Sequence, residues 1–154
     1  MKKTKLTFVL ASLCLNFAYA QDKQQPKAEQ AMKVFIYGFC GYKSGYKPGV
    51  KISKDLFGKG KMMTIRNLPV VQLYAIALTM GHQIAEDQII LDVRDPKKLW
   101  ELCCYQLIVP ANQVDNFFVT MHQNLNLEFP DYLATMEMRK NVMYLVITDK
   151  DDQL

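Results

Sequence analysis

The sequence predicts an α+β domain: a mostly antiparallel sheet with two helices packed on one face. Residues 132–138 alternate, with Tyr132, Ala134, Met136 and Met138 apolar and Thr135 and Glu137 polar between them, the period of a strand with one wet face. Residues 70–80 and 114–125 instead repeat apolar side chains at i, i+3, i+4 and i+7, the period of a helix. The strand-like runs outnumber these helices and are separated by Gly, Pro and Asn turns. That leaves the helices to cover one side of a sheet.

Taken in order, residues 32–40 (MKVFIYGFC) are β-branched and aromatic and read as a strand ending at Gly41. Residues 41–61 carry Gly45, Gly49, Gly58, Gly60, Pro48 and the lysines 43, 47, 51, 54, 59 and 61, with Asp55 the one acid. This composition predicts a long basic loop, with a short strand around 50–52. A strand at 62–66 leads to Asn67, read as a helix cap, with Pro69 in the first turn, where a missing N–H costs nothing. Val70, Leu73, Ala77 and Met80 form the buried stripe, and Gly81 supplies the left-handed stop. Strands follow at 88–93 and 103–109, parted by Asp95-Pro96. Pro110 ends the second, and Asn112 caps a helix with Val114, Phe117, Phe118, Met121 and Leu125 on one face. Strands at 132–139 and 142–148 close the domain around a turn at Lys140-Asn141.

The chain has 154 residues, 50% hydrophobic and 22% charged, the composition of one globular domain. At this size roughly 68–70% of the unfolded surface can be buried, so no metal or disulfide framework is required. Disorder, collagen and a multi-span membrane protein are excluded. Residues 1–20 (MKKTKLTFVLASLCLNFAYA) read as a secretory signal peptide, with a basic start, an apolar run and a small-x-small site at Ala18-Tyr19-Ala20. About ten apolar residues rise only about 15 Å as a helix, against a hydrocarbon core of about 30 Å. No stable membrane span is therefore expected after cleavage. Leu13 before Cys14 argues against lipidation. Residues 21–31 are polar and read as a flexible segment, with the single domain at 32–150. The expected location is the periplasm or cell envelope of a Gram-negative bacterium. Lys2, Lys3 and Lys5 leave with the leader, so the formal charge of +4 falls close to neutrality and nucleic acid is not an expected partner.

Cleavage leaves Cys40, Cys103 and Cys104. Cys40 could pair with one of the vicinal two, and on a strand only one of these can face it; all three could equally be small buried hydrophobes. No Cys-x-x-Cys is present. His82 and His122 stand in no metal-ligand spacing, so no metal or other cofactor is expected. Gly58-Lys59-Gly60-Lys61 is followed by Met62-Met63, not by Ser or Thr, so it is no P-loop. The candidate site is the patch of Lys43, Lys47, Lys51, Lys54, Lys59 and Lys61, with Tyr42 and Tyr46 among them. It suits an acidic protein surface, an anionic glycan or a lipid headgroup. A merely solvated loop is the alternative.

Three stretches, MTIRNLPVVQLYAIALT (63–79), IILDVRDPKKLWELCCYQLIVP (89–110) and MHQNLNLEFPDYLATMEMRKNVMYLVITDKD (121–151), resemble a family of exported bacterial domains of unknown function. That family occurs in "soil-associated" proteins and at the C-termini of TlpA-type thioredoxin-like proteins of the Bacteroidota. The distinctive positions are Asp95-Pro96, Trp100, and Glu137-x-Arg139 followed by Tyr144, Leu145 and Val146. The resemblance implies fold and export and carries over no catalytic residue. The sequence shows no thioredoxin-like half, so the redox chemistry of the fused proteins is not implied. The expected function is a non-catalytic module binding a protein of the envelope. The alternative is a thiol-redox accessory using Cys40 with Cys103 or Cys104.

Overall fold

A computed structural model describes residues 36–54 and 58–153. The predicted leader 1–20, the segment 21–31, the start of the first strand and Asp55 lie outside the described residues. The elements are β1 (Ile36–Gly41), β2 (Gly49–Lys54), β3 (Lys61–Pro69), α1 (Val70–Leu78), β4 (Ile89–Asp92), a short α2 (Lys97–Trp100), β5 (Leu102–Val109), α3 (Phe117–Glu128), β6 (Tyr132–Arg139) and β7 (Val142–Asp149). The α+β class holds. β1, β5, β3 and β2 form, in that order, a four-stranded antiparallel sheet. A second, three-stranded sheet runs β4-β7-β6, with β4 parallel to β7 and β6 antiparallel to it. The strands divide between two sheets because β5 inserts between β1 and β3, leaving β4 to pair with the last strand.

β5 is one of the two interior strands, with Cys103, Cys104, Tyr105, Leu107 and Val109 all buried. Its inward side chains meet the equally buried Met63 and Ile65 of β3 and the helices. In α1, residues Val70, Val71, Leu73, Tyr74, Ala75, Ile76 and Ala77 are all buried, the pattern of a helix enclosed on every side. α3 keeps the predicted stripe, with Phe117, Met121 and Leu125 fully buried at i, i+4 and i+8. Each contributes about 1.5–3 kcal/mol of burial.

The ends of the helices differ from expectation. Asn67 lies within β3, and Pro69 immediately precedes α1. The chain leaves α1 at Thr79, so Met80 sits beyond the helix, 76% exposed. Met80 itself takes the left-handed conformation at φ 56°, and the Gly81 N–H donates to the Ile76 carbonyl at 2.8 Å, the six-to-one closure of a Schellman motif. Gly81 has a second role, since a Cβ there would lie 3.0 Å from the Phe118 ring. Asn112 falls in a 3-10 turn, Ala111–Asn116, that leads into α3. In β6, Tyr132 and Ala134 are buried as predicted, but Met138 is exposed because the hairpin tip runs past the core. That tip is a two-residue turn with Lys140 and Asn141 both at positive φ, the geometry that matches strand twist.

Two contacts carry a pH signature, one at the end of the three-stranded sheet and one between α1 and α3. Asp149, buried at the end of β7, accepts from the Arg94 backbone N–H and from Arg94 Nε, each at 2.8 Å. These bonds hold its carboxyl below the usual range. His122 on α3 lies edge-on to Tyr74 at 6.2 Å, and its partial burial lowers its pKa. Both shifts favour the deprotonated group in the folded state, so stability falls with acidification. The His122 contribution is present above the unfolded imidazole value of about 6.5 and is lost below it, down to the folded value. The Asp149 contribution is lost further down, from the unfolded carboxylate value of about 3.9 to its lower folded one. Urea unfolding against pH should show two separated declines, and His122→Gln should abolish the upper one alone.

Candidate functional site

Strand parity builds the site. Where Phe39, Tyr105 and Ile65 point inward, their neighbours Gly38 and Cys40 on β1, Cys104 and Gln106 on β5, and Thr64 and Arg66 on β3 take the opposite face. The β1, β5 and β3 residues of this face floor a cavity of about 370 Å³, completed by Lys43 and Tyr46 from the β1–β2 loop. Lys51 of β2 is the register partner of Thr64. A second cavity of about 190 Å³ continues it past Thr64 and Arg66 to Lys47, Gly49, Val50 and Lys51. The floor is open at Gly38, where a Cβ would meet nothing within 4 Å. Among the described residues no carboxylate lines either cavity.

The loop is fixed over the sheet by one side chain. The β3–β5 register shifts between Ile65 and Leu68, and within this bulge Asn67 adopts φ 48°, a conformation asparagine tolerates. The bulge turns its amide toward the loop, where it is 1% exposed. Nδ2 donates to the Lys43 and Tyr46 carbonyls and Oδ1 accepts the Lys43 N–H, all at 2.8 Å. The Arg66 guanidinium stacks 4.9 Å from the Tyr46 ring, a second tie between strand and loop.

Asn67 also engages a thiol. Its backbone N–H donates to Cys104 Sγ, and that thiol donates to Oδ1, both at 3.4 Å. Cys104 is the direct register partner of Cys40. Cys40 is exposed and Cys104 buried, and all three described cysteines are free thiols. Cys103 points to the other face, into the core. Burial pushes its thiol up to about 12, so it carries no thiolate at neutral pH.

The six predicted lysines therefore separate into two groups. Lys43, Lys47 and Lys51 line the groove. Lys54 and Lys61 face each other at the far end of the β2–β3 hairpin, about 10 Å further along at 3.3 Å per residue. Lys59 lies in the turn beyond them. The Lys61 ammonium stands over the Phe117 and Phe118 rings at 4.7 and 4.8 Å, so it packs against α3 and does not join the groove. Within the expected long loop the short strand foreseen around 50–52 extends over 49–54, because these six residues find a partner in β3. As β2 is a sheet edge, its lysines also discourage pairing with other chains. Arg66, Thr64 and Asn67 were not among the sequence candidates. Extending the β3 alternation past Ile65 would have placed Arg66 outward beside the lysines.

His82 and His122 lie apart from the groove, and among the described residues no cluster of three His, Cys, Asp or Glu could hold a metal. No described helix is long and apolar enough to cross a membrane. The groove can therefore offer hydrogen-bond donors, fixed positive charge and a pair of thiols. No family model, curated protein or solved structure matches the chain, so what the groove does follows from its own residues.

Proposed function

We propose that this is an exported, non-catalytic module that holds an acidic segment of an envelope protein in the groove on the outer face of the four-stranded sheet. The observation that carries this is the lining: Lys43, Lys47, Lys51 and Arg66 converge there with no carboxylate among the described lining residues. Converging like charges cost free energy in the unbound protein and are offset by an anionic partner. A cavity of about 370 Å³ accommodates a few side chains, whereas a bilayer presents a plane. Arg66 already stacks on one face of the Tyr46 ring. The signal-like composition of residues 1–20 and the resemblance to TlpA-associated domains support the choice of an envelope protein of a Gram-negative bacterium as that partner.

The test is fluorescence polarisation with a labelled oligoglutamate peptide. Binding should weaken on raising salt, and Lys43→Glu with Arg66→Glu should weaken it by about tenfold or more. Gly38→Leu, which fills the open floor, should do the same without altering charge. Lys54→Glu with Lys59→Glu, at the far end of the hairpin, should change affinity by less than about twofold, as expected of remote exposed charges. Equal losses at both ends would reduce the groove to general basicity and overturn the proposal. Tighter, groove-dependent binding to a sulfated glycan or to anionic vesicles would replace the protein partner with that ligand.

A further inference from the structure

We propose that Cys40 and Cys104 are a dithiol site that accepts a disulfide from an external disulfide compound, and that its oxidation releases the loop roofing the groove. The two residues are directly opposed in the β1–β5 ladder and share the outer face. Opposed residues of an antiparallel pair have Cα atoms about 4.5–5.5 Å apart, inside the range of about 4.4–6.8 Å that a disulfide spans. Exposed Cys40 is the point of attack, and buried Cys104 is the resolving thiol. Cys103, turned into the core on the other face, is out of reach of Cys40. Lys43 and Arg66 line the same cavity and favour an anionic disulfide such as oxidised glutathione.

The exchange balances in two steps. The Cys40 thiolate attacks one sulfur of the external disulfide, forming a mixed disulfide and expelling the first thiolate. The Cys104 thiol gives up its proton and attacks Cys40 Sγ, forming the Cys40–Cys104 bond and expelling the second thiolate. Two protein thiols are oxidised and one external disulfide is reduced to two thiols, which take up the protons released.

The consequence runs through Asn67. Reduced Cys104 donates to Oδ1 of the amide that also holds the Lys43 and Tyr46 backbone. In the disulfide that sulfur has no hydrogen to donate and is drawn toward β1, so the buried amide loses a partner and its hold on the loop weakens. The effect on acidic ligands rests on the proposed function; the disulfide and the loosened loop do not.

The test treats the full chain with oxidised glutathione and maps disulfides by mass spectrometry, alongside amide hydrogen exchange. Wild type and Cys103→Ser should both form the Cys40–Cys104 link, while Cys104→Ser should stop at the mixed disulfide on Cys40. On oxidation, exchange across 42–48 should quicken about tenfold, with no change in Cys40→Ser under the same treatment. A link through Cys103, a mixed disulfide on Cys40 that persists in the wild type, or unchanged exchange after the Cys40–Cys104 bond has formed would each overturn the proposal. Oligoglutamate titration of the reduced protein decides the binding reading separately: its failure there, with disulfide and exchange as expected, would leave this inference standing.

Discussion

Asn67→Ala is expected to destabilise the domain by about 3–4 kcal/mol and to weaken acidic-peptide binding about tenfold. The first figure has two sources. Removing the amide leaves the Lys43 N–H and the Lys43 and Tyr46 carbonyls without the partners they have at 2.8 Å, at about 1 kcal/mol each. Alanine at φ 48° adds about 1 kcal/mol, because its Cβ crowds the backbone where asparagine is tolerated. Asn67→Gly isolates the two, since it loses the same hydrogen bonds but not the conformational cost; it should recover about 1 kcal/mol and bind no better than alanine. Asn67→Asp keeps the backbone preference but sets a carboxylate against two carbonyl oxygens, so it should fail as the alanine does. Urea unfolding and peptide titration on this series check it. If residues 42–48 were only a solvated loop, Asn67→Ala would instead cost little beyond its conformational term.

Asn67 also shows where the sequence stops being legible. An asparagine two residues before a proline and a helical stripe has the local chemistry of a cap, and nothing nearby says otherwise. Its actual role depends on a register shift between β3 and β5 and on a loop more than twenty positions away. The elements set by short-range patterns were readable. The alternation in β6, the stripe of Phe117, Met121 and Leu125, and the turn at Lys140-Asn141 each announce themselves within a few residues. Partner choice was not, because insertion of β5 between β1 and β3 and the parallel pairing of β4 with β7 are decided by burial summed over the whole domain. The groove falls between these cases. Its lysines were visible as a run, yet strand register puts Lys51 in it and Lys54 and Lys61 away from it, while the loop tied by Asn67 brings in Lys43 and Lys47. The opposite facing of Cys103 and Cys104 follows from any strand reading; that Cys104 faces Cys40 required the register.

Tyr74→Ala should be the most damaging change in the core, lowering stability by about 3–5 kcal/mol and the melting temperature by on the order of 10–20 °C. Tyr74 is fully buried on α1, with His122 at 6.2 Å and Phe129 at 6.5 Å between ring centroids, so its ring fills the space where α1 meets α3 and the chain beyond it. Alanine forfeits the transfer free energy of the ring and leaves a cavity that an enclosed helix cannot collapse into. Against a total of about 5–15 kcal/mol for a domain, the loss is about a fifth or more. The hydroxyl contributes much less. It donates to the Leu125 carbonyl at a long 3.4 Å, and that carbonyl also accepts the Phe129 N–H at 2.8 Å, so Tyr74→Phe leaves no orphaned group and should cost less than about 1 kcal/mol. Because the groove lies on the outer face of β3 and β5, the phenylalanine variant should bind the oligoglutamate peptide as the wild type does. Thermal melts of both variants separate the contributions. A phenylalanine variant as unstable as the alanine one would mean that the hydroxyl bond, not ring packing, holds the two helices together.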